Sequence, residues 1–432
     1  MESYFDVKTV DQARDILFKA WKVKPLDIEE VHITAAAGRV LARDILACED
    51  VPPFARSTVD GYAVMAKDTF GATEALPAIL EIVEDIRMGA IAEKNLLSGQ
   101  AARIPTGGSL PCGADACVMI EHTDLLDDRT VLVKKPVAPG ENVIHKGEDV
   151  TSGETLLLTG RVLRAFEIGA LAALGHVTVP VFRKPRVAIL STGDEIVPPD
   201  KSPGPGQIRD INTYSLAASA LSCGATPITL GISRDTYEDV RQPLEEALDT
   251  ADLLVVSGGS SVGTRDVVVQ VISDLGPPGV LVHGVALKPG KPAILGICRD
   301  KPVFGLPGHP VSALTVFSLF VKPAVVRLYE KSSASTAHNT RPGSETAFDL
   351  HFDFLSREKT VMARLSRNIS SAPGREDHIR VRLRLENGEF WADPVLGKSG
   401  LISTLVKSHG EVVIPLEYEG LKAGSLVEVR LT

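Results

Sequence analysis

Lys288 and Lys291, in the segment KPGKPAILG (288–296), are the residues of this chain most plainly suited to holding an anion. Each is a compact point cation, and Pro289 and Pro292 restrict the backbone that carries them. The turn Gly305-Leu306-Pro307-Gly308-His309-Pro310 follows a short apolar strand and opens a helix expected over 311–328. Such a helix would direct unpaired amides and its positive dipole end at a phosphate or oxyanion. A second group lies upstream, where Ser257-Gly258-Gly259-Ser260-Ser261 would let the backbone approach a ligand and offer amides and hydroxyls to phosphate oxygens. Asp194, Glu195 and Asp266 are carboxylates expected on the same sheet edge, and phosphates would be repelled there unless a cation stood between. Magnesium fits that place, since it takes a few carboxylates and keeps several waters beside a phosphate. Each feature alone also has an ordinary explanation: lysines on a solvated loop, Asp194 in a turn, Asp266 capping a helix over 267–275.

The elements that must position these residues follow from periodicity. Residues 186–190 (RVAIL) and 252–256 (DLLVV) are short apolar runs that read as buried parallel strands, and each ends in small polar residues. Between them the pattern gives a helix over 212–223 closed by Gly224, a strand over 226–232 and a helix over 236–250. Strand and helix alternate, so a doubly wound α/β sheet is expected for 180–330, with ligand loops at the carboxyl ends of its strands. Residues 9–22 show helical spacing with Thr9 or Asp11 near the cap, and 164–175 read as another helix. Residues 28–47 read as a strand-like piece and a second helical stretch, and 48–150 as short β-rich runs. After a Ser/Ala/Thr-rich linker at 331–346, only strand signals remain (360–366, 377–386, 389–392, 411–414, 426–431), which suggests a small separate β domain.

Composition narrows the function classes. With 432 residues, 44% hydrophobic and 23% charged, the chain has material for two to four domains and the make-up of a soluble globular protein. A net charge of -9 argues against a general nucleic-acid binder, so any anion binding must be local. Five cysteines (Cys48, Cys112, Cys117, Cys223, Cys298) form no CxxC pair, and neither a disulfide framework nor a zinc site is expected. No apolar leader and no membrane-spanning run is read from the sequence, so a cytoplasmic protein with no membrane partner is expected.

Three segments of the first half join the list. Ser57, Thr58 and Asp60 lie in VPPFARSTVDGYAV (51–64), Thr106, Gly107 and Gly108 in an amide-rich loop, and Glu148 and Asp149 beside Lys146. With GENVIHKGEDVTSGETLL, VAILSTGDEI, GQIRDINTYSL, ADLLVVSGGSSVGTRD, LKPGKPAILG and FGLPGHPVSAL, these strings resemble, in order, the signature blocks of the molybdopterin molybdenumtransferase family. That family includes bacterial MoeA and the gephyrin E domain. The resemblance spans nearly the whole chain, is dense from 51 to 313 and weakens toward the C-terminus.

The resemblance implies the last step of molybdenum cofactor assembly: molybdate enters the dithiolene of adenylylated molybdopterin and AMP is released. It implies a homodimer of four-domain subunits: an elongated linking domain (27–47 with 141–176), a β-rich domain (48–140), a molybdopterin-adenylyltransferase-like α/β domain (1–26 with 177–330) and a C-terminal β-barrel-like domain (331–432). The matching positions are Asp60, Thr106, Asp149, Asp194, Glu195, Asp210, Ser257, Asp266, Lys288, Lys291 and Pro307. Asp60, Asp149, Glu195, Asp266, Lys288 and Lys291 are the expected catalytic set. Thr106, Asp210, Ser257, Gly258, Gly259, Ser260, Ser261, Pro307, Gly308 and His309 are the expected substrate contacts. Asp194, Glu195 and Asp266 would hold Mg2+. Partners would be a second copy, a molybdopterin adenylyltransferase and molybdoenzyme apoproteins, with no nucleic acid. A non-catalytic dimeric scaffold like the gephyrin E domain, or an adenylyltransferase, are the alternatives. Three positions depart from the family pattern: Val59 for Met, Ser260 for Val, and His309 for Asn. An imidazole at 309 would alter oxyanion affinity or make it pH dependent, since imidazole titrates near about pH 6.5.

Overall fold

The computed structural model describes residues 7–258, 264–336 and 359–432, with side chains described at all of these except 264–266. The chain divides into two compact units, one of Met1–Arg43, Thr159–Arg164 and Val179–Thr432, the other of Asp44–Leu158 and Ala165–Thr178.

The first unit contains a six-stranded sheet: β1 (Arg186–Thr192), β2 (Thr226–Ser233), β3 (Leu253–Gly258), β4 (Pro278–His283), β5 (Ile294–Cys298) and β6 (Lys301–Leu306). The spatial order is β2-β1-β3-β6-β5-β4. β2, β1, β3 and β6 run parallel, while β5 lies antiparallel to both β6 and β4. The apolar runs are continuous because both faces are covered. Val187, Ile189 and Val255 enter one core with residues of α1 (Val10–Ala20), α2 (Asn212–Ser222) and α5 (Pro310–Thr336). Ala188, Leu190, Leu254 and Val256 enter the other with α3 (Tyr237–Thr250) and α4 (Thr264–Asp274). The α1 cap is Thr9, whose hydroxyl accepts from the Gln12 amide while the Gln12 side chain returns to the Thr9 amide, a reciprocal capping box.

The C-terminal part of this unit is a closed barrel. Glu376–Glu386 pairs with both Glu389–Pro394 and Gly410–Ile414, and Thr360–Leu365 with Leu426–Leu431 completes the ring. The pair Leu287–Lys288 joins Glu376 and Asp377 in parallel, so the lysine loop is bonded directly to the barrel. On the barrel strand Glu376–Glu386 the buried His378 lies between Glu411 (2.9 Å from Nδ1) and Glu376 (2.7 Å from Nε2). Burial disfavours the charged imidazole, but the two carboxylate hydrogen bonds more than offset it, and its pKa is pushed up to about 9.

The second unit is built on a six-stranded sheet in the order Ala116–Met119, Gly61–Val64, Gln100–Ile104, Ala78–Asp85, Thr130–Val133, Thr123–Asp127, with cores on both faces. The multidomain α/β plus β class expected from the sequence is what the chain adopts.

Four local expectations are corrected. Residues 28–47 hold a strand (Ile28–His32) and a three-residue helical turn (Ile33–Ala35), with no second helix. There the amides of Gly38, Leu41 and Ala42 bond to the carbonyls of Leu163, Arg161 and Pro180, so the backbone is committed across the chain. The linker expected over 331–346 starts late, because α5 runs to Thr336; the rest of that segment lies outside the described residues. The barrel region also holds a short helix, Ile402–Val406. Finally, α5 spans 27 residues and is long and apolar enough to cross a membrane by length and composition; its apolar window is 72% buried inside the protein, which makes it the core helix of the α/β sheet.

Two outcomes follow for stability. Gly258 has φ 147° and faces Thr192 across the parallel pair, where an added Cβ would fall 1.9 Å from the Thr192 carbonyl oxygen. Gly258→Ala should therefore lower stability by about 1–3 kcal/mol, seen as a lower midpoint in thermal unfolding. The His378 contribution has the opposite pH sense to that of a paired carboxylate, because its folded pKa of about 9 exceeds the unfolded value of 6.5. Its stabilisation is complete below about pH 6.5 and is lost as pH rises through about 9. Melting curves taken across that window should fall in the wild type and flatten in His378→Gln; an unchanged slope would remove the charged imidazole from the account.

Candidate functional site

Lys288 and Lys291 face a cleft of about 980 Å3, walled by their own loop, the β6–α5 turn and the barrel. Arg375, Arg380 and Lys398 line the same cleft from the barrel side, and among the described residues no Asp or Glu stands on its wall. A fully buried carboxylate behind the wall orders two of these cations. Lys288 Nζ donates to Asp377 Oδ2 (3.2 Å) and Arg375 Nε to Asp377 Oδ1 (3.1 Å). Lys288 is still half-exposed, so its ammonium can reach a ligand while anchored. The loop is held tightly, since a Cβ at Gly290 would come 2.8 Å from both Leu287 and Val316.

The β6–α5 turn forms another wall. Pro307 is buried, Gly308 half-buried and His309 exposed, with His309 Nδ1 3.0 Å from Ser399 Oγ. The open helix N-terminus expected here is corrected. Pro310 has no N–H, and the Val311 amide donates to the Ser399 carbonyl (3.2 Å), so the barrel takes the first N–H of α5. Positive charge in the cleft thus comes from side chains.

At the carboxyl ends of β1 and β3 the remaining α/β residues gather. Ser257 is buried and accepts from Asn212 Nδ2 (2.7 Å); the same nitrogen donates to the Gly308 carbonyl (2.8 Å). Asn212 therefore ties the loop after β3 to the turn after β6. Asp210 is buried, and its Oδ1 accepts from Ser191 Oγ and from the Thr213 amide, both at 3.1 Å, which caps α2. Asp194 and Glu195 are exposed in the turn after β1, and Asp194 shares a cleft of about 540 Å3 with Asp210. Asp235, from the turn after β2, accepts from Thr192 Oγ1 (2.6 Å). Its pKa is raised by burial first and by the charges of Glu195 and Asp194, with the Thr192 hydrogen bond opposing. No three His, Cys, Asp or Glu side chains assemble in a metal-ligating group among the described residues, Asp194 and Glu195 included. Gly259, Ser260 and Ser261 lie outside the described residues, as does the Asp266 side chain.

In the second unit the three expected segments meet. The Thr106 amide and hydroxyl both donate to Asp60 Oδ1 (2.7 and 3.1 Å), and these bonds hold the Asp60 carboxyl below its ordinary range. Gly107 donates to the Ser57 carbonyl, Thr58 to the Asn142 carbonyl, and Arg56–Ser57 pairs with Val143–Ile144. The Asp149 amide donates to the Val51 carbonyl, so its exposed side chain stands on the same group of loops. Sequence reasoning missed Asn212, Asp235, Arg375, Asp377, Lys398 and Ser399. Asn212 was visible only inside a quoted motif, and Arg375 only as Gly-Arg in a turn before a strand.

Known families match this chain along its length: MoeA N-terminal region (domain I and II) over residues 8–175, the probable molybdopterin binding domain over 188–327, and MoeA C-terminal region (domain IV) over 362–432. The molybdopterin molybdenumtransferase of Bacillus subtilis is 33% identical over 94% of this chain and 90% of its own. That of a Nostoc species is 35% identical over 93% and 88%. A crystal structure of the molybdopterin biosynthesis MoeA protein from Pyrococcus horikoshii superposes with a TM-score of 0.80, at 37% identity over 99% of both chains. Full-length likeness in sequence and fold, with the three regions matched in order, makes this chain a member of the MoeA family of molybdopterin molybdenumtransferases.

Proposed function

We propose that this protein inserts molybdate into adenylylated molybdopterin with release of AMP, and that the oxyanion enters the cleft walled by Lys288, Lys291, Arg375, Arg380 and Lys398. The observation that carries this reading is electrostatic. A chain of net charge -9 keeps one cleft of five lysine and arginine side chains with no carboxylate among its described wall residues. Such a concentration of fixed cations attracts a small dianion and stabilises the charge that develops as the phosphoric anhydride is cleaved. A scaffold has no use for it. The adenylyltransferase alternative leaves the barrel, which supplies Arg375 and Ser399, without a role.

The pterin and its phosphates are assigned to the neighbouring sheet edge, where Ser257, Gly258 and the turn at Pro307–Gly308 are joined through Asn212. Asp194 and Glu195 would hold Mg2+, which suits an ion that keeps most of its waters and would offset phosphate charge. Asp210 acts through the cap of α2 and so positions Asn212. Asp60, Thr106 and Asp149 are proposed as a further acidic surface for the same reaction. A homodimer of four-domain subunits in the cytoplasm, supplied by a molybdopterin adenylyltransferase and serving molybdoenzyme apoproteins, completes the proposal; light scattering reporting a monomer would count against it.

The test is AMP release from adenylylated molybdopterin by the purified protein with Mg2+ and low molybdate. Molybdate-dependent release is expected, with Lys291→Ala lowering the rate by about 100-fold while the melting profile is kept, and Lys288→Ala lowering it as much together with the melting point, since it removes a partner of the buried Asp377. Release that ignores molybdate, or variants as active as the parent, would sink the assignment of the cleft.

A further inference from the structure

His309 is one of the three positions read from the sequence as departures from the family pattern, and it stands on the wall of the cationic cleft. The groups that share the wall with it are Lys288 and Lys291 from the loop, Arg375, His378 and Arg380 from the barrel strand, and Lys398 beside Ser399. Resting on the reading of this cleft as the oxyanion site, we propose that the oxyanion is bound together with one proton, taken up by His309, which thereby also converts the Ser399 hydroxyl into a donor toward the anion.

The geometry for this is a single hydrogen bond. Nδ1 of His309 lies 3.0 Å from Ser399 Oγ. With the imidazole neutral and Nδ1 unprotonated, Nδ1 can only accept, so the serine hydrogen points at the ring and the hydroxyl offers the cleft its lone pairs. With the imidazole protonated, Nδ1–H donates to Oγ and the hydroxyl hydrogen is released to point elsewhere. One proton thus adds a positive charge to the wall and reverses a dipole on it.

Coupling between proton and anion follows from the neighbours. In the empty cleft every charged wall residue is a cation and opposes a further one; a bound dianion reverses that balance. Proton uptake and anion binding must then favour each other by the same factor. Lysine and arginine keep their charge across neutral pH. His378 is held charged between Glu376 and Glu411 up to about pH 9, so it does not titrate with the anion. Imidazole is the side-chain type whose charge changes near neutral pH, and His309 is the other imidazole on this wall.

Tungstate is the probe, because it remains a dianion over this interval and needs no pterin. Calorimetric titrations at about pH 6 and pH 8 should give a dissociation constant about tenfold lower at the acid end, with proton uptake approaching one in buffers of different ionisation enthalpy. His309→Asn should reduce the pH ratio to under about twofold. Ser399→Ala should keep the proton uptake and weaken binding mainly at the acid end. Lys288→Ala should weaken binding at both values and preserve the ratio, which separates the lysine site from the proton link. A His309→Asn protein that keeps the full ratio, or a parent with no ratio, overturns the inference and leaves the oxyanion site standing. A parent that binds no tungstate at either pH removes both. His309 is exposed, so its substitution should leave thermal unfolding unchanged, which checks that the variant is folded.

Discussion

Asp377 is the constraint on which the cleft depends. Its carboxylate is wholly buried, and a buried charge is tolerated only when its partners are fixed in place. Here the partners are Lys288 and Arg375, one on each carboxylate oxygen, and the parallel pairing of Leu287–Lys288 with Glu376–Asp377 brings them there. The α/β sheet and the barrel therefore meet at a point where backbone hydrogen bonds and an ion pair specify the same register. Removing the barrel would take away the carboxylate, three of the five lysine and arginine cations and the Ser399 carbonyl that satisfies the first amide of α5.

A second tie makes the sheet edge and the cleft one construction. Asn212 reaches from the start of α2 to Ser257 and to the carbonyl of Gly308, so the ends of β3 and β6 are spaced by one amide nitrogen. Its own Oδ1 is buried and has no hydrogen-bond partner among the described residues. An acceptor left open at the carboxyl edge of a parallel sheet is suited to a ligand N–H, in keeping with the assignment of the pterin to this edge.

The sequence made legible whatever is written locally. Helices α1, α2 and α3 lie within two residues of their expected ends because Thr9, Thr236 and Gly224 punctuate them. Strands β1 and β3 were evident from apolar runs too short for helices. Residues 28–47 misled because Ala36, Val40 and Leu41 recur at spacings a helix would use, while their segment bonds to residues more than a hundred positions away. The site divided the same way. Lysines between prolines and glycine turns announce themselves, whereas Arg375, Asp377 and Ser399 acquire meaning only when the barrel closes against the 285–292 loop. Asp210 shows the converse: the family motif marks it, and geometry shows what its carboxylate touches, two partners that fix the helix carrying Asn212.

The net charge and the cleft are complementary facts. An acidic chain repels small anions on average, so a dianion gains only where fixed cations outnumber carboxylates within about a Debye length of 8 Å. Asp377 partly cancels Lys288 and Arg375 from behind, which leaves the wall attractive without making it a permanent trap. On the proposed assignment, an oxyanion leaving this wall for a pair of sulfur ligands needs such moderation, because binding the substrate more tightly than the transition state would slow transfer. The same reasoning assigns His309 its place. A charge that arrives with the substrate strengthens the hold when the cleft is filled and withdraws when it empties, which a sixth permanent cation could not do.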